Sequence, residues 1–352
     1  MNRYARQTIL PQVGLSGQQE LQDSKVLLVG AGGLGIPCAQ SLVAAGIGQI
    51  TLIDDDRVSL TNLQRQFLFS ESDIGRYKVE VLREKLSAQN LEIKIESVIS
   101  RFNINNALEL IKSHDLVIDG SDNFNTKFLI NDACLIMKTP WIYGSVSRFE
   151  GQVATFLADN SKEASSCYRC LYEKTPVSKI ENCAEQGVFG AVTGIIGNYQ
   201  ALEAMKLLMQ LKFKTTNNQD HLLKVKHGSL QVFDFQSLDQ QTLLIPKRQN
   251  CHCEKPETIA LREEEAELCV ISFEKTWKDF ESDQNTKILF DVRSIEEYQT
   301  GHHELGQLWD SDSLQQLIQS DSKDVEKDIG TIYLYCSIGK RAKVKCQELK
   351  SF

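Results

Sequence analysis

Six residues open the chemical reading: Gly30-Ala31-Gly32-Gly33-Leu34-Gly35 fits G-x-G-x-x-G between an apolar run and a helical stretch. Glycines at that spacing allow a tight turn and close backbone approach, and the following helix offers its N-terminal N–H groups to phosphate. Asp54 ends the next apolar run, QITLID, where a carboxylate can accept both hydrogen bonds of a ribose diol. Taken alone, the turn suits an NAD, FAD or ATP enzyme. The loop DDDRVSLTNLQRQF then crowds Arg57, Asn62, Gln64, Arg65 and Gln66 together, with Lys78 shortly after. One pyrophosphate needs little of this, whereas transfer from a triphosphate relies on positioning and on cations that stabilise charge. Ser121-Asp122-Asn123 follows a buried run, and Asp122 suits Mg²⁺, which takes one or two carboxylates beside phosphate oxygens. The competing reading is that these charges are solvated loop residues.

A second set of residues is sulfur-based. The chain has 10 cysteines, which in a reducing compartment serve as packing, ligands or reactive thiols. Cys167-Tyr168-Arg169-Cys170 is a C-x-x-C pair and Cys251-His252-Cys253 lies some 80 residues on. The tighter C-x-C spacing strains tetrahedral ligation by both its thiolates, so His252 could stand in for one of them. Cys183, in the polar run ENCAE, is placed as a reactive thiol rather than a core residue. Cys38, Cys134, Cys269 and Cys346 sit alone in apolar or helical contexts and read as packing.

The elements that must position these groups alternate strand and helix over about the first 155 residues, the pattern of a parallel sheet with covering helices. Strands are expected at 25–30, 49–54, 91–99, 116–119 and near 141–144, with helices up to Ala45, over 76–90 and over 128–137. From Gln152 the texture turns towards β (QVATF, SLQVFDF), interrupted by a long connection over 161–191 and a helix from about Thr193 to Leu211. A connection that long is usually functional. Residues 287–352 restart a small α/β pattern with KILFDVR and TIYLYC as strands.

Composition limits the function classes. With 39 basic and 47 acidic residues the net charge is −8, which argues against nucleic-acid binding. No run reaches the roughly 18 apolar residues of a membrane span. MNRYARQTIL lacks a signal peptide's apolar core, so a cytoplasmic location is expected.

In order along the chain, RYARQTILPQVGLSGQQEL, VLLVGAGGLG, LIDDDRVSLTNLQRQFLF, DIGRYKVE, DGSDNFNTKFLIND, FEGQVATF, CYRCLY and NCAEQGVFGAVTGIIGNYQALEAMK resemble successive motifs of the MoeB/ThiF family, bacterial relatives of ubiquitin-activating enzymes. The resemblance implies an α/β fold with a Rossmann-like doubly wound sheet, divided into an adenylation domain over 1–250, a zinc-ligand segment and linker over 251–285, and a small rhodanese-like α/β domain over 286–352. It implies a homodimer that uses ATP and Mg²⁺ to adenylate the Gly-Gly carboxylate of a ubiquitin-like sulfur-carrier protein. Carried over by position, Gly30, Gly32, Gly33 and Gly35 match the nucleotide turn and Asp54 the ribose ligand. Asn62, Arg65, Gln66 and Lys78 match the phosphate-binding set, Ser121 and Asp122 the magnesium turn, and Arg6 an arginine that reaches into the neighbouring subunit. Cys167, Cys170, Cys251 and Cys253 match a structural zinc site. Cys183 matches a cysteine that in some members carries the carrier covalently.

FDVRSIEEY and YCSIGKRA resemble a rhodanese, with Cys336 in place of the persulfide cysteine and Arg341 closing its loop. The GHHE sequence departs from that family's G-H-I motif, and the sequence ends at Phe352 just after the loop's helix; the domain is expected to be shortened. The fused tail favours the molybdopterin synthase small subunit as client. A thiamine-biosynthesis carrier, an NAD-dependent oxidoreductase on the same glycine turn, and a non-catalytic scaffold are the alternatives.

Overall fold

The computed structural model describes residues 3–158, 166–173, 187–212, 223 and 225–262, and the backbone of three strands between 287 and 335. The chain divides into two compact units, Met1–Ala266 and Glu267–Phe352.

The first unit is built on an eight-stranded sheet. Its strands are β1 (Lys25–Val29), β2 (Gln49–Ile53), β3 (Lys94–Val98), β4 (Leu116–Asp119), β5 (Trp141–Ser147), β6 (Glu150–Phe156), β7 (Ser229–Asp234) and β8 (Asp239–Leu244). Their order is β3-β2-β1-β4-β5-β6-β7-β8. The first five run parallel, and β5 to β8 continue as an antiparallel meander. Between β1 and β4 the direction of strand succession reverses, which is where doubly wound sheets bind ligands, beyond the strands' carboxyl ends.

Eight helices accompany the sheet among the described residues: α1 (Ala5–Thr8), α2 (Gly14–Gln22), α3 (Gly35–Ala45), α4 (Lys78–Gln89), α5 (Ala107–Lys112), α6 (Phe124–Met137), α7 (Tyr168–Leu171) and α8 (Gly190–Lys212). Alternation along β1 separates two cores, because successive side chains of a strand point to opposite faces. Val26 and Leu28 pack with residues of α3, α4 and α8, among them Leu42, Leu82 and Leu207. Leu27 and Val29 face the other way, into Ile111 of α5 and Phe128, Ile130 and Ala133 of α6. Burial on both faces explains why the parallel strands read as continuous apolar runs.

Several elements differ from expectation. Helix α6 starts at Phe124, four residues before the expected Phe128, because the Asn123 side chain caps it by accepting from the Thr126 amide at 2.9 Å. The polar sequence DQQTLL forms edge strand β8 although all six residues are exposed; pairing with β7, not burial, defines it. Helices α1, α2 and α5 are too short or too weakly patterned to stand out in sequence. Among the described residues no helix is long and apolar enough to cross a membrane.

The second unit contains a parallel three-stranded sheet, β9 (Lys287–Asp291), β10 (Gly306–Leu308) and β11 (Thr331–Tyr335), in the order β10-β9-β11.

Candidate functional site

A cleft of about 580 Å³ opens beyond the carboxyl ends of β1, β2, β4 and β5. Gly30, Gly32 and Gly33 form one wall, with Asp54 beside them; Asn62, Arg65, Gln66 and Lys78 line another, and Ser121 and Asp122 face them. Residues dispersed over nearly 100 positions therefore meet in one concavity. Gly30 has φ +97°, and a Cβ there would stand 2.6 Å from the Gly120 carbonyl oxygen, so the turn needs glycine for both conformation and space. The Asp54 carboxylate accepts from the Ala31 amide at 2.7 Å and the Asp56 amide at 2.8 Å, which fixes it against the turn. Burial raises its pKa above the ordinary carboxylate value, with Lys78 and the two amides opposing.

Lys78 is almost fully buried and pairs with the exposed Asp56 at 2.6 Å. Arg65 donates to the Thr61 carbonyl at 2.9 Å. Both cations thus have exposed, solvent-side partners at the cleft wall, positions from which an anionic ligand can compete for them. Gln66 is buried, and its side-chain oxygen has no partner among the described residues; an unsatisfied buried amide in a cleft wall fits a polar ligand. Asp122 is exposed at the cleft margin.

Gly35 is the exception in the glycine set. It does not line the cleft; a Cβ there would meet the Gly30 carbonyl oxygen at 2.0 Å. Its lack of a Cβ lets α3 pack closely against the turn.

The floor holds residues that sequence reasoning missed. Asp119, the last residue of β4, is fully buried and pairs with Lys127 of α6 at 2.6 Å. Lys127 also donates to the carbonyls of Ser121 and Gly144, each at 2.9 Å. Asp119 in turn accepts from the Ser121 amide at 3.0 Å and hydroxyl at 2.5 Å. With its ammonium bonded to three oxygens, Lys127 clamps the turn that presents Asp122. In sequence Lys127 is one lysine in a helix, and only its pairing with the end of β4, eight residues earlier, marks it. Arg101 and Phe102 also line the cleft.

Residues 4–254 match the ThiF family. The chain belongs to the ThiF family. A "Sulfur carrier protein adenylyltransferase" of Thermus thermophilus is 44% identical over 211 residues, 59% of this chain and 78% of that protein. An "Adenylyltransferase and sulfurtransferase MOCS3" of Aedes aegypti is 41% identical over 71% of this chain and 54% of its own length. The Dictyostelium discoideum protein of that name is 35% identical over 83% of this chain and 71% of its own. The chain thus spans about half the length of the insect relative. In fold it is similar to E. coli MccB crystallised with MccA-N7isoASN, with TM-score 0.61 and 22% identity over 71% of this chain and 74% of that one. As a ThiF-family chain it is of the nucleotidyltransferase class.

A second cluster of this ThiF-family chain lies away from the cleft. Cys167, Cys170, Cys251 and Cys253 bring their sulfurs within 4.8 Å of one another. Sulfur separations are 3.9 Å for Cys167–Cys170, 3.5 Å for Cys167–Cys251 and 3.7 Å for Cys170–Cys253. Zn–S bonds of about 2.3 Å in tetrahedral array require sulfurs about 3.8 Å apart, so the donor set fits zinc. Hydrogen bonding within the cluster splits the four thiols: Cys170 and Cys251 are drawn down, Cys251 to about 7, while Cys167 and Cys253 are pushed up. His252 is exposed and outside the cluster, so C-x-C supplies both its thiols. The intervening residue turns outward because Cys251 leads into a 3-10 turn at His252–Glu254.

Arg6 sits exposed on α1, outside its own chain's cleft. Cys38 and Cys134 are fully buried in the cores, where burial pushes both thiols up. Cys183, Cys269, Cys336, Arg341 and Cys346 lie outside the described residues.

Proposed function

We propose that the chain uses ATP·Mg²⁺ to adenylate the C-terminal Gly-Gly carboxylate of a ubiquitin-like sulfur-carrier protein, with the molybdopterin synthase small subunit as client. One observation carries this: Asn62, Arg65, Gln66, Lys78 and Asp122 line one cleft with the Gly30–Gly33 turn and Asp54. A dinucleotide oxidoreductase would leave that cationic set without a task. The relatives named for sulfur-carrier adenylation and sulfur transfer support the carrier as substrate.

The carrier's carboxylate is ionised near pH 7 and needs no general base. It attacks the α-phosphorus, an acyl-phosphate bond forms, and pyrophosphate leaves. Arg65 and Lys78 neutralise the leaving group from the wall and Asp54 orients the ribose; Asp122 would hold Mg²⁺, which would lower the charge cost of the transfer. Asp56 releases Lys78 as phosphate takes its place. In a homodimer Arg6 completes the neighbouring site. Such a dimer is supported by exposed Phe67, Phe149 and Phe189, the last two stacked at 5.7 Å, since exposed aromatic patches mark interfaces. Zinc in the four-cysteine cluster is structural. Cys183 and Cys336 are the proposed thiols of any subsequent sulfur transfer.

ATP–pyrophosphate exchange with purified carriers, one at a time, tests the reading. Exchange is expected with a Gly-Gly carrier, none with Asp122→Ala, and an unchanged rate with Cys336→Ala. Since Asp122 is exposed, its loss leaves the fold intact, and substantial exchange by that variant would remove it from the mechanism.

A further inference from the structure

One helix joins the cysteine cluster to the cleft. At its N-terminus α6 carries the Asn123 cap, Phe124, Thr126 and Lys127 into the cleft wall. About 13 Å along, at 1.5 Å per residue, Asn131 and Asp132 hold the segment between the first two cysteines. Asn131 accepts from the Tyr168 amide at 2.9 Å. Asp132 accepts a forked pair from Arg169, Nε at 2.8 Å and Nη2 at 2.7 Å. Both members of this pair are buried, at 2% and 4% exposure, and the guanidinium also lies over the Phe128 ring of α6 at 4.8 Å. Tyr168 packs against Phe128, Trp141 and Tyr143, and the ammonium of Lys127 faces the Tyr143 ring at 5.1 Å. Every residue between Cys167 and Cys170 is therefore fastened to the helix whose other end sets the cleft.

A surface knuckle needs no such fastening to close four thiolates on a metal. A buried bidentate ion pair is costly to desolvate and is strongly destabilising when broken; it makes the position of α6 and the geometry of Cys167 and Cys170 one variable. We propose that Arg169 is a positioning residue which, through Asp132 and α6, makes zinc occupancy of the cysteine cluster and nucleotide occupancy of the cleft stabilise each other. The inference rests on the reading above, in which the cluster takes zinc and the cleft takes ATP·Mg²⁺. Coupling between sites is reciprocal: the factor by which zinc tightens nucleotide binding equals the factor by which nucleotide tightens zinc.

The test uses the full-length protein without a carrier, so that no turnover occurs. Zinc content is measured by atomic absorption, the ATP·Mg²⁺ dissociation constant by calorimetry before and after zinc removal, and the zinc dissociation constant by competition with a chelating dye with and without ATP·Mg²⁺. Both constants are expected to shift by the same factor, about fivefold or more. Arg169→Lys, which keeps the charge but loses the fork, and the uncharged pair Asp132→Asn with Arg169→Gln should still bind zinc while the factor falls towards one. Equal ATP affinity with and without zinc, or an undiminished factor in both variants, overturns the proposal. So does global unfolding on zinc removal, read by circular dichroism, because coupling through a folded α6 would then be excluded. A parent protein that holds no zinc or no ATP overturns the functional reading itself, a result distinct from two sites that both bind without coupling.

Discussion

Replacement of Lys127 by methionine removes one ammonium from beneath the candidate magnesium turn while keeping most of the side chain's volume. Asp119 is fully buried and Lys127 is 4% exposed, so the carboxylate would be left inside the sheet without its cation. The Ser121 and Gly144 carbonyls lose a donor at the same time. Breaking a buried pair from one side costs about 3–5 kcal/mol, a large part of the roughly 5–15 kcal/mol that stabilises a folded domain. At about 2–4 °C per kcal/mol for a unit of this size, the midpoint should fall by roughly 6–20 °C. Calorimetry on the single variant, on Asp119→Asn, and on the two combined gives the coupling. The double variant should recover at least about 1 kcal/mol relative to Lys127→Met, because no uncompensated charge remains. ATP–pyrophosphate exchange should stay low in both, since neither holds the Ser121 carbonyl. A single variant within about 1 kcal/mol of the parent, or a double variant no more stable than the single, would refute the claim that this pair supports the turn.

Other outcomes follow from the same geometry. Cys253→Ser should lower bound zinc below one per chain and reduce thermal stability, both measurable on the purified protein; a full complement of zinc would show that three thiolates suffice. Gly30→Ala should destabilise the chain and weaken ATP binding together, because its Cβ would press on the Gly120 carbonyl oxygen at 2.6 Å from a backbone with positive φ; titration calorimetry reads the second effect. His114, between the Leu110 carbonyl at 2.6 Å and the Thr51 hydroxyl at 2.8 Å, has its pKa lowered by burial. Unfolding therefore takes up a proton, so its contribution is full above the ordinary imidazole pKa of about 6.5 and is lost as pH falls below it. Urea denaturation across pH 7.5 to about 5 should show this loss, and His114→Gln should flatten it.

Much of the candidate site is legible in the sequence, because its parts are local. A glycine turn, a carboxylate at a strand end and a cation-rich loop each need only a few neighbouring residues to declare themselves. Gly35 shows what the motif does not state: the close approach of its Cα to the Gly30 carbonyl is a packing requirement that only the folded chain displays. Helix α6 gives a second case, since the apolar pattern marks its middle and the Asn123 cap sets its true start.

By itself the sequence determined the parallel half of the sheet, the composition of the cleft's edges and the two cysteine pairs. These depend on spacing along the chain: continuous apolar runs of strand length, a turn that only glycine can make, cysteines separated by one or two residues. Only the tertiary structure decided that four thiols converge at tetrahedral spacing while His252 turns away, that Lys127 and Asp119 clamp the Asp122 turn, and that Arg169 ties the Cys167–Cys170 segment to α6. These contacts join residues up to 84 positions apart. No local pattern encodes them, because each is chosen by which buried charges and sulfurs the packed sheet brings within reach.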